Sequence, residues 1–388
     1  MPFPSALGGF LLLLWANGAY GWFRLPCTHP LVEDRIDPIG FPGQVPSQHL
    51  HTVHGGYNFN STSTYDGLRA SRCTSCQVAQ DLSNYWFPTL YFRDPRTHQY
   101  EVVPNGGLLV YYQNRGKGDV ANGGSGLKAF PPGFKMISGD PTRRAKKYTE
   151  GLGTQAELAE RAISYTCLRY TTTNEDVYSY GFPSTDCEAG FQGRIHMPSC
   201  WDGQNLDSPD HRSHVAFLSD LDNGECPQSH SVYLMKLFYE VTWDVHHFSS
   251  RWAESDGWPF VYSTGDPTGY SWHGDFQNGW DVDILQGAID HCNNPNDDTA
   301  NGVVSACPLF TIIDAATADQ CDLPSSLRAN VVSNSTKLPG CNPLQAGPMD
   351  ATAYTDDDCP NGASDSDAKP AAQGHGGKCR LTKKRFQW

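Results

Sequence analysis

The chain has 388 residues and a formal net charge of -14, with 28 basic and 42 acidic side chains. This acidic excess disfavours nucleic acid and anionic membrane surfaces as partners, because both reward clustered lysine and arginine. Beyond residue 21 no stretch approaches twenty consecutive apolar residues, so the sequence predicts no membrane span and no C-terminal lipid-anchor signal.

Residues 1–21 have the features of a secretory signal peptide. They carry no charged side chain and contain an apolar run from Phe10 to Ala16, followed by small residues. We predict a mature chain that begins near Trp22. Thirteen cysteines and two Asn-Ser-Thr sequons, at Asn60 and Asn334, agree with export. We therefore expect a secreted glycoprotein, located outside the cell or in a cell wall.

Short runs of β-branched and aromatic residues recur along the chain, separated by Gly, Pro, Asn and Asp. This pattern is typical of an antiparallel β-sandwich or a jelly-roll-like domain. The predicted strands cover residues 86–92, 107–113, 135–138, 214–218, 236–245 and 259–263. Within 237–245 the odd positions are apolar or aromatic and should face the core.

Two short helices are predicted in this mainly β domain. A capping box of the Thr-x-x-Glu form, from Thr154 to Glu157, opens the first helix, which ends near Ile163. The second helix follows Asp281, where apolar residues at 285, 288, 289 and 292 keep helical spacing.

The domain boundaries follow changes in composition. Residues 22–295 should form one β-rich catalytic or binding domain, 296–345 a cysteine-rich extension packed on it, and 346–388 a disordered tail. Cys73 and Cys76 have the spacing of a redox motif, but no βαβ pattern surrounds them, so we favour structural disulfides. Because thirteen is odd, at least one cysteine is free or bonded to another chain.

His49 and His51 stand two residues apart, so on a strand both side chains leave the same face. Such a pair can bind a divalent metal, with zinc, calcium and copper as candidates, or it can simply hydrogen-bond to backbone. The candidate metal ligands are His49, His51 and His214.

Two further segments, 201–214 and 272–276, combine histidines with carboxylates. Unlike environments separate the pKa values of neighbouring carboxyl groups, so such segments can supply a general acid and a general base. The alternative is a loop of Asx-turns in which Arg212 is tied to Asp207 or Asp210. The candidate catalytic residues are Asp202, Asp207, Asp210, His211, His273 and Asp275. The candidate sugar-binding residues are Trp86, Trp201, Asn205, Arg212 and Trp272.

Several phrases in chain order carry a family resemblance. They are Arg35–Ile39, the His49–Gly56 segment, Tyr85–Tyr91, Phe130–Met136, Cys200–His214 and Gly265–Trp280. On these phrases the chain resembles a fungal secreted family known as a domain of unknown function and numbered nineteen ninety-six. The resemblance implies an extracellular protein that acts at cell-wall or plant polysaccharide, with no settled activity.

These observations predict a secreted carbohydrate-active protein that cleaves a cell-wall polysaccharide by hydrolysis or elimination at a cleft rich in histidine and aspartate. Two alternatives stay open. One is a non-catalytic glycan-binding protein of the cell wall, and the other is a secreted metal-binding protein. Substrate, linkage, metal and oligomeric state are left open by the sequence.

Overall fold

A computed structural model describes residues 23–170, 178–293, 302–325 and 335–360. The predicted signal peptide, Asn334, Cys379 and the tail beyond 360 lie outside these residues, so the predictions for them stay predictions. No helix in the described ranges is long and apolar enough to cross a membrane.

The fold is mainly β and antiparallel, as predicted. The strands are β1 (Phe23–Cys27), β2 (Val32–Asp34), β3 (His51–Gly55), β4 (Asn84–Pro88), β5 (Leu90–Arg93), β6 (Tyr100–Val102), β7 (Asn105–Gln113), β8 (Lys135–Gly139), β9 (Ile163–Leu168), β10 (Tyr178–Ser179), β11 (Gly190–His196), β12 (Cys200–Trp201), β13 (Val215–Ala216), β14 (Val232–Tyr233), β15 (Lys236–Trp243), β16 (Phe260–Tyr262), β17 (His273–Gln277) and β18 (Gly302–Val303). The helices are α1 (Tyr65–Arg69), α2 (Gln155–Arg161), α3 (Val282–His291) and α4 (Ala315–Ala318).

A seven-stranded sheet, in the order β10-β9-β11-β15-β7-β1-β18, forms one layer. All of its pairs are antiparallel except β1 with β18. On β15 the alternation predicted from the sequence is confirmed, because Leu237, Tyr239, Val241 and Trp243 are at most 1 % exposed.

A five-stranded antiparallel sheet, in the order β2-β3-β4-β17-β8, packs against the first. Tyr85, Phe87 and Phe276 of this sheet join the same apolar core as the inward residues of β15. The rings of Tyr85 and Tyr239 meet edge to face, with centroids 5.8 Å apart. Smaller three-stranded sheets, β13-β12-β14 and β16-β5-β6, lie beside these layers.

The opposite face of the five-stranded sheet is covered as well. Val53, Trp86 and Ile137 from three of its strands form a second apolar cluster with Leu31 and Phe59. Polar side chains on this face are therefore buried among protein atoms instead of facing solvent, and they need partners there.

Both predicted helices are present as α2 and α3. The Thr154 hydroxyl accepts a hydrogen bond from the Glu157 backbone N–H, and Asp281 caps Ile284 in the same way. The additional helices α1 and α4 have five and four residues, too few to show a helical period in the sequence.

Six disulfides join twelve of the thirteen cysteines. The pairs are Cys27–Cys76, Cys73–Cys321, Cys167–Cys187, Cys200–Cys226, Cys292–Cys307 and Cys341–Cys359. Cys73 and Cys76 thus bond to different partners, in agreement with structural disulfides.

Part of the segment predicted as a disordered tail from residue 346 makes contacts with the rest of the fold. The backbone N–H of Ala351 donates to the Thr142 carbonyl at 2.7 Å, and Cys359 is bonded to Cys341. A disulfide and a backbone hydrogen bond hold this polar segment, although its composition resembles that of disordered sequence.

Candidate metal centre

Three histidines from distant parts of the chain meet on the outer face of the five-stranded sheet. His51 begins β3 and His273 begins β17, the two strands that flank β4. His51 lies opposite Pro88. Asp275 lies opposite Trp86, so by the same antiparallel register His273 falls in the row of Pro88. The sheet therefore places His51 and His273 on either side of one residue, and His49 joins them from the segment before β3.

The spacing of the three rings fits shared ligation. One ligand-capable atom from each of His49, His51 and His273 lies within 4.8 Å of the other two. The Nε2 atoms of His49 and His273 are 3.2 Å apart, and the ring centroids of His49 and His51 are 4.2 Å apart. Two imidazole nitrogens on one tetrahedral zinc ion would be about 3.3 Å apart, given Zn–N bonds of about 2.0–2.1 Å.

His273 is oriented as metal-binding histidines commonly are. Its Nδ1 lies 2.8 Å from the Ser271 carbonyl oxygen. Because a carbonyl accepts only, Nδ1 carries the ring proton in the neutral imidazole and Nε2 presents a lone pair toward His49. In metal sites, a hydrogen bond from the ring nitrogen that does not bind the metal fixes the tautomer and the ring direction of the ligating histidine.

His51 has no exposed surface, and neither of its ring nitrogens has a hydrogen-bond partner of good geometry. The backbone of Ile36 is close enough to raise the pKa of His51 slightly, but burial dominates and lowers it to about 3. An imidazole in this position is an unusual choice for a core, because an unpaired buried polar group costs about 1–3 kcal/mol.

The other two rings are also neutral at physiological pH. Burial lowers the pKa of His273 to about 3. Burial, followed by the neighbouring His51 and His273, lowers the pKa of His49 well below its usual value. Neutral imidazole is the form that ligates metal ions, so none of the three rings must lose a proton to bind one.

Two buried carboxyl groups stand beside the histidines. An Asp275 carboxylate oxygen lies 3.9 Å from the His273 Nε2, and Asp275 Oδ2 has no hydrogen-bond partner. Asp37 accepts hydrogen bonds from the backbone of Ile39 and Gly40. Burial raises the pKa of Asp275 well above its usual range and that of Asp37 in the same direction. Both groups are placed where a cation would favour their charged form.

Gly139 allows the edge strand β8 to approach His273. It lies directly opposite His273 and has φ of +91°. A Cβ atom here would lie 2.4 Å from the Trp272 carbonyl oxygen and 2.7 Å from the His273 Cα. Glycine is therefore required by both its backbone conformation and its packing.

A small cavity of about 20 Å³ lies beside His49. Arg144, Asn342 and residues 351–353 line it together with His49, so the C-terminal segment held by Cys341–Cys359 covers this side of the centre.

The structure brings four of the predicted site residues together: His49, His51, His273 and Asp275. Arg212 lies next to them. Its positive charge adds to the burial that lowers the pKa of His273, and it partly opposes the burial that raises the pKa of Asp275. Asp37 was missed because a lone aspartate in an Arg-Ile-Asp-Pro phrase carries no chemical signal. Asp37 is also close enough to His211 to be influenced by it, so all three polar segments of the sequence meet here.

His214, predicted as a metal ligand, is hydrogen-bonded through both of its ring nitrogens. Its Nδ1 is bonded to the Ser208 hydroxyl at 2.8 Å and its Nε2 to the Lys135 carbonyl at 2.7 Å. Both nitrogens are therefore used by the fold, and the histidine that lies beside His49 and His51 is His273.

The loop from 202 to 213 forms hydrogen-bonded turns. Asx-turns in this loop were the structural alternative to a catalytic role for its carboxylates. Asp202 accepts from the backbone of Gln204 and Asn205, and Asp210 from the backbone of Ser213. Partial burial favours the neutral acids, but these hydrogen bonds outweigh it and lower the pKa of Asp202 and Asp210. Carboxylates held in this way are poor general acids at neutral pH.

His211 and Arg212 belong to the same loop. The His211 Nδ1 lies 2.8 Å from an Asp207 carboxylate oxygen. Arg212 donates to the backbone carbonyls of Asp210 and Gly139, not to a carboxylate.

Trp86 and Trp272, both predicted to bind sugar, have no exposed surface. Trp86 packs against Phe59, and Trp272 against Trp243. Trp201 is half-buried, and its indole N–H donates to the carbonyl of Asn205, whose side-chain amide binds Asp202.

The family can now be assigned. Residues 37–280 match the model of a family described as a domain of unknown function, DUF1996. The chain belongs to the DUF1996 family. All three histidines of the centre, both nearby carboxyl groups and Arg212 lie inside the DUF1996 domain. No curated protein and no solved structure matches the chain.

Proposed function

We propose that this DUF1996 protein is an extracellular metalloprotein whose centre, formed by His49, His51 and His273, binds zinc or copper. The observation that carries this proposal is His51, which is fully buried with both nitrogens unpaired beside two histidines whose Nε2 atoms are 3.2 Å apart. A metal ion would give the three rings a common partner and remove the cost of the unpaired groups. Six disulfides are compatible with the extracellular location.

The donor set favours a transition metal over calcium. Imidazole nitrogen suits zinc and copper, whereas calcium takes six to eight oxygen ligands. Three histidines leave a fourth position open, as in catalytic zinc sites. A metal ion bound there would act as a Lewis acid and lower the pKa of a bound water. Asp275 and Asp37 would stand beside that position, Asp275 with an unpaired carboxylate oxygen.

The sequence also led us to expect polysaccharide cleavage at a cell wall. We keep this activity as a more specific proposal, but we place its active site at the histidine centre and not in the 202–213 loop. Asp202 and Asp210, two of the carboxylates predicted to supply acid and base, are engaged in the turns of the 202–213 loop, whereas both ring nitrogens of His51 and Asp275 Oδ2 have no hydrogen-bond partner. We therefore assign any bond-cleaving chemistry to the histidine centre, and the loop to its support.

Metal content tests the proposal. Protein secreted by an expression host is stripped with chelator, supplied with zinc or copper, dialysed and analysed by elemental mass spectrometry. We expect about one ion per chain for the wild type and a loss of most of it in His51→Ala.

His54→Ala is the matched control. His54 is on the same strand and equally buried, has no hydrogen-bond partner of good geometry, and faces the other side of the sheet against Phe87. It should keep the ion. Equal metal content in both variants, or none in the wild type, would overturn the proposal.

A further inference from the structure

A groove of about 520 Å³ opens beside the histidine centre. This volume lies in the range of about 300–1,000 Å³ that is typical of ligand sites. Its walls are the end of β8, helix α2 and the loop from 210 to 217. Among the residues that line it, only Asp210 and Arg212 were site candidates from the sequence.

Three tyrosines line the groove and keep part of their rings exposed. They are Tyr148, Tyr180 and Tyr270. The Lys146 Nζ lies 4.2 Å from the centroid of the Tyr180 ring, and the Tyr180 hydroxyl donates to Glu150. Rigid, half-exposed rings offer flat apolar faces with hydrogen-bonding edges.

Donors and acceptors are interleaved with these rings. Asp140, Glu160 and Asp210 supply carboxylates, and Arg143 and Arg212 supply guanidinium groups, so the charged side chains of the lining sum to a small negative excess. The lining therefore does not favour an anionic polymer.

Both arginines have hydrogen-bonding capacity left over. Arg143 Nη1 is buried without a hydrogen-bond partner, and its ion pairs with Glu160 and Asp140 are 3.6 Å and 3.9 Å long. Among the described residues Arg212 makes no ion pair within 4.0 Å and donates to backbone carbonyls alone. Arg143 Nη1 is thus buried with only a long ion pair to Glu160, and a ligand hydroxyl can complete its hydrogen bonding.

We propose that this groove binds an uncharged glycan. Pyranose rings would lie on the tyrosine faces, and their hydroxyl groups would accept from Arg143 and Arg212 and donate to the carboxylates. The proposal goes beyond the metal centre and does not depend on it.

The groove and the centre share Arg212. Its guanidinium donates to the Gly139 carbonyl at 2.8 Å, and Gly139 pairs with His273. A glycan that reaches Arg212 would thus lie one strand away from the histidine cluster.

Affinity gel electrophoresis tests the inference, with gels that contain laminarin, xylan, mannan or the anionic polygalacturonate. We expect retardation by at least one of the three uncharged polymers and none by polygalacturonate. Tyr180→Ala and Tyr270→Ala should each weaken binding about tenfold or more, as loss of an aromatic contact does, whereas Tyr180→Phe should retain most of it. Tyr170→Ala changes a tyrosine that is 74 % exposed and does not line the groove, so it should bind like the wild type.

Chelator-treated protein is run in parallel, because retained glycan binding after metal removal separates this inference from the proposed metalloprotein function. Retardation by none of the uncharged polymers, by polygalacturonate alone, or equally in wild type and both alanine variants would overturn it.

Discussion

The Nε2 atoms of His49 and His273 lie 3.2 Å apart, although 224 positions separate the two residues in the chain. The Ser271 carbonyl holds the proton of His273 on Nδ1, so the Nε2 of His273 can only accept. Without a cation, His49 must donate its own Nε2 proton into this contact. For a metal ion to engage both Nε2 lone pairs, His49 would carry its proton on Nδ1 instead, and its ring would stay neutral.

Zinc or copper should therefore stabilise the fold. With free metal at 100 times its Kd, the free energy of unfolding should rise by about 2.7 kcal/mol, because the ion binds the folded chain and not the unfolded one. Thermal melting with added metal, and again after chelator, measures the shift. His49→Ala should abolish the shift while His214→Ala keeps it. A shift of the same size in both variants would place the ion elsewhere.

Gly139→Ala should disturb the centre through the backbone. The new Cβ would meet the Trp272 carbonyl at 2.4 Å in addition to the strain of a positive φ. We expect a loss of about 3 kcal/mol or more in unfolding free energy and a lower metal content.

Gly123→Ala is the matched control, because φ there is +84° and nothing lies within 4 Å of the added Cβ. Its loss should be limited to the backbone strain, about 1–2 kcal/mol. Chemical denaturation of both variants gives the comparison, and equal losses would show that the contact with β17 is unimportant.

Asp81 should make stability depend on pH. Burial raises its pKa to about 6, against hydrogen bonds from Ser83 and Tyr85 that lower it. Between pH 4 and 6 the folded chain keeps a proton that the unfolded chain has lost, so stability falls as pH rises through this window, by about 3 kcal/mol for this group.

Urea denaturation of wild type and Asp81→Asn at several pH values measures this contribution. The wild type should lose stability relative to the variant between pH 4 and 7, and Asp290→Asn, at an exposed aspartate, should show no such trend. A pH-independent difference between wild type and Asp81→Asn would contradict the assignment.

The disulfides should differ in their effect on stability. Cys73–Cys321 closes a separation of 248 residues and Cys292–Cys307 one of 15. Chain entropy gives up to about 5 kcal/mol for the first and about 3 kcal/mol for the second. Replacing each pair by alanine should lower the Tm more for Cys73 and Cys321, and the reverse order would show that local packing dominates.

Local patterns in the sequence were enough to predict strand β15 and helices α2 and α3. The period of two on β15 and the caps of α2 and α3 depend on neighbours in the chain, and these predictions are confirmed. The proximity of His49 and His51 was expected from a spacing of two residues on one strand, but His49 lies in a bend before β3 and only His51 is on the strand.

The third histidine of the cluster could not be identified from the sequence. His273 joins the centre because β3 and β17 both pair with β4, and the strand order is a property of the whole sheet. His214 looked equivalent in sequence, but its partners Ser208 and Lys135 are set by the fold. The burial of Trp86 and Trp272 could not be predicted from the sequence, because a large aromatic ring fits a core as well as a binding surface.

The C-terminal segment over His49 has a kinetic consequence. The cavity on that side, about 20 Å³, has room for roughly one water molecule, and residues 351–353 form part of its wall, so an ion bound by His49 would leave past this segment. Residence time should then be governed by how often residues 351–353 detach, and opening the Cys341–Cys359 loop by Cys359→Ser should speed the release of the ion to chelator without changing how many ions the chain holds.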